Sequence, residues 1–480
     1  MKKLSPVEIA FLLFITTFVI ILKVPVTSLP YTEDGATWTI NSALWIYDNY
    51  FVYPIIENTT RGISGGNGHP TLIFNLLAVL YHIFGYSIEL THITMIIFGC
   101  LTLLYTYLLA TFIYNKSVGV ISSILLIVTP LYFSLIGQLR LDVPLMAFSV
   151  MTLYYAAIEK RWAFAITGSL LVLTKEPGTA VVFCCFLYIA LKYFKKESVS
   201  AYIKRLFTYC IPALVFLSWV ILYHHYIGTF FYKNVAFTAE VPILRYQQVF
   251  VWNFRCFLSI VMIIALVLNN FKTGIYPRRL KSAIIIVIIS FIIYYYGEPV
   301  ENLRIISNIT FSLLTGLVLT IDFKKIDIKH ILIPVTLFIY ISLHGFIFDL
   351  QPRYMLPMIS FYIIVASSGI NMLSQYWKHA AIYLTIIVIA FSIYHINHSR
   401  YKWTNMSYTE LIDIRFEMIS YVGDRYKDYI IGLDSYIVPI MLTEPRVGYV
   451  KTKLPCVGLR NIKPNPPGTI QEYDIILFSN

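Results

Sequence analysis

Charge is scarce in this sequence. Only 13% of its 480 residues are Asp, Glu, Lys or Arg, against about 25% in an average soluble domain. The 58% that are hydrophobic gather in many separate runs of membrane-spanning length, which a soluble fold has no way to bury. Cysteine is also sparse. Of the six, Cys100, Cys184, Cys185, Cys210 and Cys256 sit in apolar runs, and only Cys456 lies in the polar tail. No CxxC or Cys/His spacing is present, so neither a zinc site nor a disulfide framework is indicated. Phosphate loops of the Walker type, internal repeats and low-complexity tracts are lacking too. The start, Met1-Lys2-Lys3 before an apolar run, has no small-x-small cleavage site ahead of Pro25. It is therefore expected to stay as an uncleaved first helix.

What the sequence does have is aromatic residues, 38 Tyr and 33 Phe. These suit membrane interfaces and polar cavities within helix bundles. The formal charge of +12 is assigned to cytoplasmic loops rather than to a nucleic-acid partner.

The first span is expected at about Pro6 to Lys23. The longest early polar interruption follows, Tyr31 to Pro70. Within it, Trp38–Tyr53 is aromatic and amphipathic and suits an interfacial position. Pro70–Gly85 is apolar but short for a crossing, and suits a re-entrant or surface helix. Further spans are expected near 88–113, 118–137, 142–158, 162–174, 177–193, 206–226, 250–268, 281–296, 303–320, 330–348, 354–371 and 379–395.

Orientation follows from the basic residues. With the N-terminus inside and Pro70–Gly85 not crossing, inner segments hold eighteen Lys and Arg, while the outer loops and spans before the tail hold nine. That bias fits the positive-inside rule. If Pro70–Gly85 crossed, the basic clusters at 192–205 and 272–281 would lie outside. The expected fold class is thus an all-α polytopic membrane protein of about 13 transmembrane helices. Residues 1–395 form the membrane domain, with an extracytoplasmic loop at 24–87. Residues 396–480 form a small extracytoplasmic α/β domain. In that tail Tyr429–Asp434 and Tyr473–Ser479 read as buried strands, and Tyr408–Val422 as a helix.

This topology gathers charges on the outer side: Glu33, Asp34, His69, Arg140, Asp142, Lys175, Glu176 and Arg353. Charges at helix ends or membrane depth are costly unless paired or facing a wet cavity, so they default to functional candidates. Each has a plainer reading. A carboxylate such as Asp34 often only solvates a loop. His69-Pro70 often only begins a helix. Arg140 with Asp142, and Lys175 with Glu176, could be internal ion pairs, and Arg353 could anchor a helix start. Functionally, a carboxylate activates or holds an acceptor. Arg and Lys suit a lipid phosphate. The Gly62–Gly68 run could let backbone amides approach one, although no Lys-Ser/Thr accompanies it.

The order of these motifs resembles the polytopic glycosyltransferases of the GT-C superfamily that use polyprenyl-phosphate-linked sugars. The likeness is to the protein O-mannosyltransferase and aminoarabinose transferase group. It rests on Glu33-Asp34 after the first span, HPTLIFNLLAVLYHIFG at 69–85, RLDVPLMAFSVMTLYY at 140–155, LTKEPG at 173–178 and PRYMLPMISF at 352–361.

The resemblance implies transfer of a sugar, with inversion, from a polyprenyl-phosphate donor to a lipid, glycan or protein acceptor. Asp34, with Glu33, would be catalytic. Asp142 would orient the acceptor or a cation. Arg140, Lys175, Arg353 and His69 would bind the donor phosphate. There are departures: Thr71 stands where His-Pro-Pro is commoner, and Glu176 where Lys-Gly-Pro is expected. No DxD motif is present, so an obligate divalent metal of the oligosaccharyltransferase kind is not indicated, and no cofactor is assigned. The competing readings are a transporter or flippase of lipid-linked sugars, which would be expected to show repeated halves or broken midplane helices, and a non-catalytic membrane scaffold.

Overall fold

The structure is a computed structural model. It describes residues 4–31, 35–50, 69–194, 196–227, 328–347 and 352–373, with short pieces beyond them. It is mostly helical. The expected spans at 250–268, 281–296 and 303–320, and the expected tail helix at 408–422, lie outside the described residues.

Helix α1 (Pro6–Lys23) starts where its sequence says it should. Ser5 caps it, Pro6 stands at its first position, and Glu8 reaches back to Ser5 as a capping box. The same Glu8 carboxylate accepts from Lys116 Nζ at 2.8 Å and from Tyr107 OH at 2.8 Å. A capping residue thereby pins α1 to its neighbours. Most other α1 side chains point outward, including Leu13, Phe14, Phe18 and Ile21, as expected of a helix that faces lipid.

Past α1 a short π-helical stretch (Gly35–Ile40) leads into α2 (Asn41–Asp48). This element packs on α3 (Leu72–Phe84), where Tyr47 lies edge-on to Tyr81 with ring centroids 5.9 Å apart. Helix α3 is 13 residues long, or about 20 Å at 1.5 Å per residue, well short of the ~30 Å hydrocarbon core. Gly85, at φ +79°, ends it in a conformation that costs glycine little.

The central bundle is α4 (Ile88–Ile113), α5 (Lys116–Ile127), α6 (Pro130–Leu135), α7 (Asp142–Ala157), α8 (Arg161–Val172), α9 (Gly178–Tyr193), α10 (Val199–Ile227), α11 (Lys329–Ile347) and α12 (Leu356–Leu373). The run 118–137, expected as one span, is two helices. The break falls at Thr129-Pro130, where proline lacks an amide and begins α6 instead of continuing α5. Most of the expected span at 379–395 also lies outside the described residues, and the remaining expected bounds agree within a few residues, except that α10 begins earlier. Helices at Pro6–Val26, Ile88–Ile113 and Val199–Tyr226 are long and apolar enough to cross a membrane, and Lys116–Ile127, Arg161–Val172 and Gly178–Tyr193 are apolar but shorter.

Helices α7, α8 and α9 run back and forth, and their ends collect two ionic groups. At one end Lys192 donates to Glu159 at 2.6 Å, and Arg205 joins Glu159 at 3.8 Å and pairs with Glu197. At the other end lie Asp142, Lys175 and Glu176.

In the tail, β1 (Ile431–Leu433), β2 (Cys456–Gly458) and β3 (Ile475–Leu477) form a parallel sheet in the order β2-β1-β3. Two of these strands fall inside the runs read as strands. The middle one in sequence, β2, had no strand signal. Arg446 ties the tail back to the end of α2 through a bidentate pair with Asp48, 2.8 Å on each arm, and its backbone carbonyl accepts from Tyr86 OH, just past α3.

Candidate active site

Three connections build the site. The first is the entry to α3. The Leu72 amide donates to the Leu173 carbonyl at 3.3 Å, which stitches the start of α3 to the end of α8. His69, three residues earlier, is thereby brought to Glu176. Its Nδ1 lies 2.9 Å from one Glu176 oxygen and 3.1 Å from the other. Glu176 therefore does not face the site as a bare negative charge: His69 covers it, a pairing that crosses 107 residues of sequence and had no local signal.

The second connection is the α8–α9 turn, Thr174 to Pro177. The turn is tight. A Cβ at Gly178 would come within 2.9 Å of the Leu171 carbonyl oxygen and 2.7 Å of its Cγ, so this position takes glycine for close approach. The turn sets Lys175 inward, and its ammonium donates to Asp142 Oδ1 at 2.7 Å. Both side chains are buried, 11% and 6% exposed. Burial alone would push the Lys175 pKa down, but Asp142, Tyr354 and Glu176 together outweigh it and the value lies above normal. Glu176 shows the mirror case. Burial would raise its pKa, but His69 and the neighbouring Lys175 bring it below the usual carboxylate value.

The third connection joins α6 to α7. It carries Gln138, Arg140 and Asp142, all buried. Arg140 Nε donates to Gln138 Oε1 at 3.1 Å. Asp142 takes Lys175 across the bundle, so the ion pair formed here is 142–175, between two of the expected motifs.

A fourth contributor arrives from far along the chain. Pro352–Met355 is a 3₁₀ turn leading into α12. Its Tyr354 places the ring 4.7 Å from Lys175 Nζ, while the Arg353 guanidinium carbon lies 5.2 Å from the same ring. Tyr340 OH holds the Tyr354 carbonyl at 3.3 Å. Tyr354 was not singled out in the sequence, although it stands beside Arg353 in the quoted motif.

His69, Asp142, Lys175, Glu176 and Arg353 are thus brought to one end of the bundle, with Arg140 two residues from Asp142. Glu33 and Asp34 lie outside the described residues. Among the described residues, no group of three or more His, Cys, Asp or Glu side chains could hold a metal ion.

Residues 68–223 match the family model of dolichyl-phosphate-mannose-protein mannosyltransferases. The segment holds three of the five motifs, those at 69–85, 140–155 and 173–178, and over it the resemblance read from the sequence is shown. The remaining two, Glu33-Asp34 and 352–361, lie outside it. The chain is also similar to the crystal structure of ArnT from Cupriavidus metallidurans bound to undecaprenyl phosphate, with 12% identity and a TM-score of 0.49, over 80% of this chain and 64% of that one. The apo structure of the same protein matches at 11% identity and a TM-score of 0.47, over 94% and 86%. An oligosaccharyltransferase from Archaeoglobus fulgidus matches at 12% identity and a TM-score of 0.46, over 92% and 61%. The chain thus spans less than two thirds of the first and third of these structures. No curated protein matches.

Proposed function

We propose that this protein is an integral membrane glycosyltransferase. It moves a sugar from a polyprenyl-phosphate donor to a lipid, glycan or protein acceptor, on the extracytoplasmic face, with inversion at the anomeric carbon. One observation carries the reading most. His69, Lys175 and Glu176, from a segment matching a dolichyl-phosphate-mannose-using family, meet Asp142 and Tyr354 in one continuous set of contacts.

The chemistry divides among the residues as follows. Asp34, supported by Glu33, takes the proton from the acceptor hydroxyl or holds its amine as the new glycosidic bond forms. The bond from the anomeric carbon to the phosphate oxygen breaks, and the polyprenyl phosphate leaves with the electron pair. Arg140, Arg353 and Lys175 stabilise the charge that develops on that phosphate. Lys175 is already neutralised by Asp142, so its contribution depends on how the pair rearranges around donor. Asp142 accordingly acts first in positioning Lys175. His69, held by Glu176, faces the same group from the α3 side. About 13 helices in residues 1–395 carry this site, with residues 396–480 as an extracytoplasmic domain anchored through Arg446.

The test is mass spectrometry of lipid-linked sugars in cells with and without the gene. The expected result is that a polyprenyl-phosphate sugar accumulates in its absence while one glycan, lipid or protein loses that sugar. Unchanged pools would overturn the reading. Scrambling of lipid-linked sugar by purified protein without transfer would replace it with the transporter.

A further inference from the structure

His92 lies in the second turn of α4, and the site described above does not use it. Of the described histidines it alone is buried, at 2% exposed. Both of its ring nitrogens face backbone carbonyl oxygens. Nδ1 meets Gly137, and Nε2 meets Leu29 at 3.0 Å. A carbonyl oxygen only accepts, so each contact needs an N–H from the ring. A neutral imidazole carries one N–H and an imidazolium two. Both bonds therefore form together only on the charged ring. On the neutral ring one nitrogen sets a lone pair against a carbonyl lone pair, and that contact opens.

The two carbonyls belong to the segments that transfer has to align. Leu29 stands just before Tyr31, at the start of the loop that carries Glu33 and Asp34. Gly137 lies in the α6–α7 connection, three residues before Arg140 and five before Asp142. A separate hold on the loop does not depend on the ring: Tyr31 OH lies 2.9 Å from Thr91 Oγ1, which also lies 2.6 Å from Tyr81 OH. The titratable and charged groups around His92 come from each element packed there. Glu89 is one turn earlier on α4, and the Tyr31 ring centroid is 5.4 Å away. Lys23, 4% exposed at the end of α1, has its Cδ 3.7 Å from where a Cβ on Gly137 would sit, and Arg140 follows on the connection. Imidazole is the side chain that ordinarily changes charge near neutral pH.

We infer that His92 is a positioning residue for transfer: as the imidazolium it clamps the Glu33-Asp34 loop to the Arg140–Asp142 connection, and loss of one proton to water releases the clamp. The inference rests on the roles proposed above for Asp34 and Arg140. His92 touches no reacting atom. It sets where the base stands relative to the donor phosphate, and a misplacement of about 1 Å between such groups costs on the order of 10²-fold in rate. Binding of the donor phosphate by Arg140, Lys175 and Arg353 does not need the clamp.

The experiment uses the purified full chain in proteoliposomes and has two arms. The first is nitrogen-15 NMR of the histidine rings across the pH range, where the buried ring is recognised by its slow exchange with water and by its loss in His92→Gln. The second is single-turnover transfer from the polyprenyl-phosphate sugar that accumulates in cells lacking the gene, with undecaprenyl phosphate as the binding probe. The buried ring is expected to hold two protons at the lower pH and one at the higher, and wild-type transfer to fall with the same midpoint. His92→Gln, which keeps the Tyr31–Thr91 hold, should lower single-turnover transfer at least about tenfold, flatten the alkaline fall, and bind undecaprenyl phosphate within about twofold of wild type. A buried ring with the same proton count throughout would overturn the inference, and this arm decides it even if the variant fails to fold. An unchanged alkaline fall in His92→Gln would overturn it too, as would a parallel loss of transfer and of undecaprenyl phosphate binding, which marks a structural histidine. Absence of transfer by wild type would overturn the glycosyltransferase reading instead, while the ring titration would still decide whether the clamp exists.

Discussion

A buried lysine is affordable only with its counter-charge beside it, and Lys175 has Asp142 at 2.7 Å. Removing one partner of a buried pair typically costs about 3–5 kcal/mol, while replacing both with packed apolar groups is often close to neutral. Lys175→Met should therefore lower the melting temperature, and adding Asp142→Leu should recover much of the loss. Transfer activity should stay lost in the double variant. If the double variant regains activity along with stability, the pair is structural only. The pH dependence of the pair has a definite sign. The Lys175 pKa is raised in the fold, so its stabilisation is complete below its unfolded value of about 10.4 and fades as pH rises through the folded value. The Glu176 pKa is lowered, so its stabilisation is present above about 4.3 and fades as pH falls through the folded value. Neither loss falls near neutrality. The melting-temperature difference between wild type and Lys175→Met should be flat from about pH 6 to 9. A difference that shrinks within that window would show that the pair is not held as described.

Elements decide which of these residues meet. Helix α7 covers 16 residues, α8 12 and α9 16, so each traverse carries the chain only about 18–24 Å. That is enough to separate the Glu159 cluster from the Lys175 cluster, and it places them at opposite ends of the bundle. The two clusters should therefore differ in access. A cysteine at Ser198, on the connection before α10, and one at Thr71, at the entry to α3, should react with a membrane-impermeant maleimide from opposite sides of intact vesicles. Labelling of both from one side would overturn the alternation and the non-crossing assignment of α3. The Gly178 turn is a second element-scale test. A valine there would meet the Leu171 carbonyl, so Gly178→Val should cost at least as much stability as an overpacked core, about 1–3 kcal/mol, and should reduce activity by moving Lys175. The tail clamp is weaker. The Arg446–Asp48 side chains are 33% and 43% exposed, and such pairs contribute roughly 0–1 kcal/mol. Arg446→Ala should speed proteolysis within residues 396–480 and leave the melting temperature of the bundle unchanged.

Across the whole molecule, legibility followed the range of the physical signal. Continuous apolar runs bounded by charge gave α4, α7, α8 and α9 nearly to the residue, because burial and helix length act locally. Pro130 was a visible break that the apolar run concealed. Its length made Pro70–Gly85 short for a span and the charge asymmetry argued against its crossing; the helix found within it, Leu72–Phe84, is 13 residues long. The pairings were not legible. His69 with Glu176, and Asp142 with Lys175, join residues 107 and 33 positions apart, and nothing in either local stretch specifies its partner. Glu176 read as a misplaced charge until His69 was found beside it. Lys23 read only as the end of a helix, since a lysine near a membrane boundary is ordinary until its side chain is seen to turn inward. The central claim is glycosyl transfer with a loop carboxylate as the base. It is tested most directly by single-turnover transfer from a polyprenyl-phosphate sugar in proteoliposomes, comparing wild type with Asp34→Asn. The account predicts transfer by wild type and a loss of at least a hundredfold in the variant, in line with the ~10²–10⁴-fold contribution of a general base, with donor binding retained. Undiminished transfer by Asp34→Asn would contradict it.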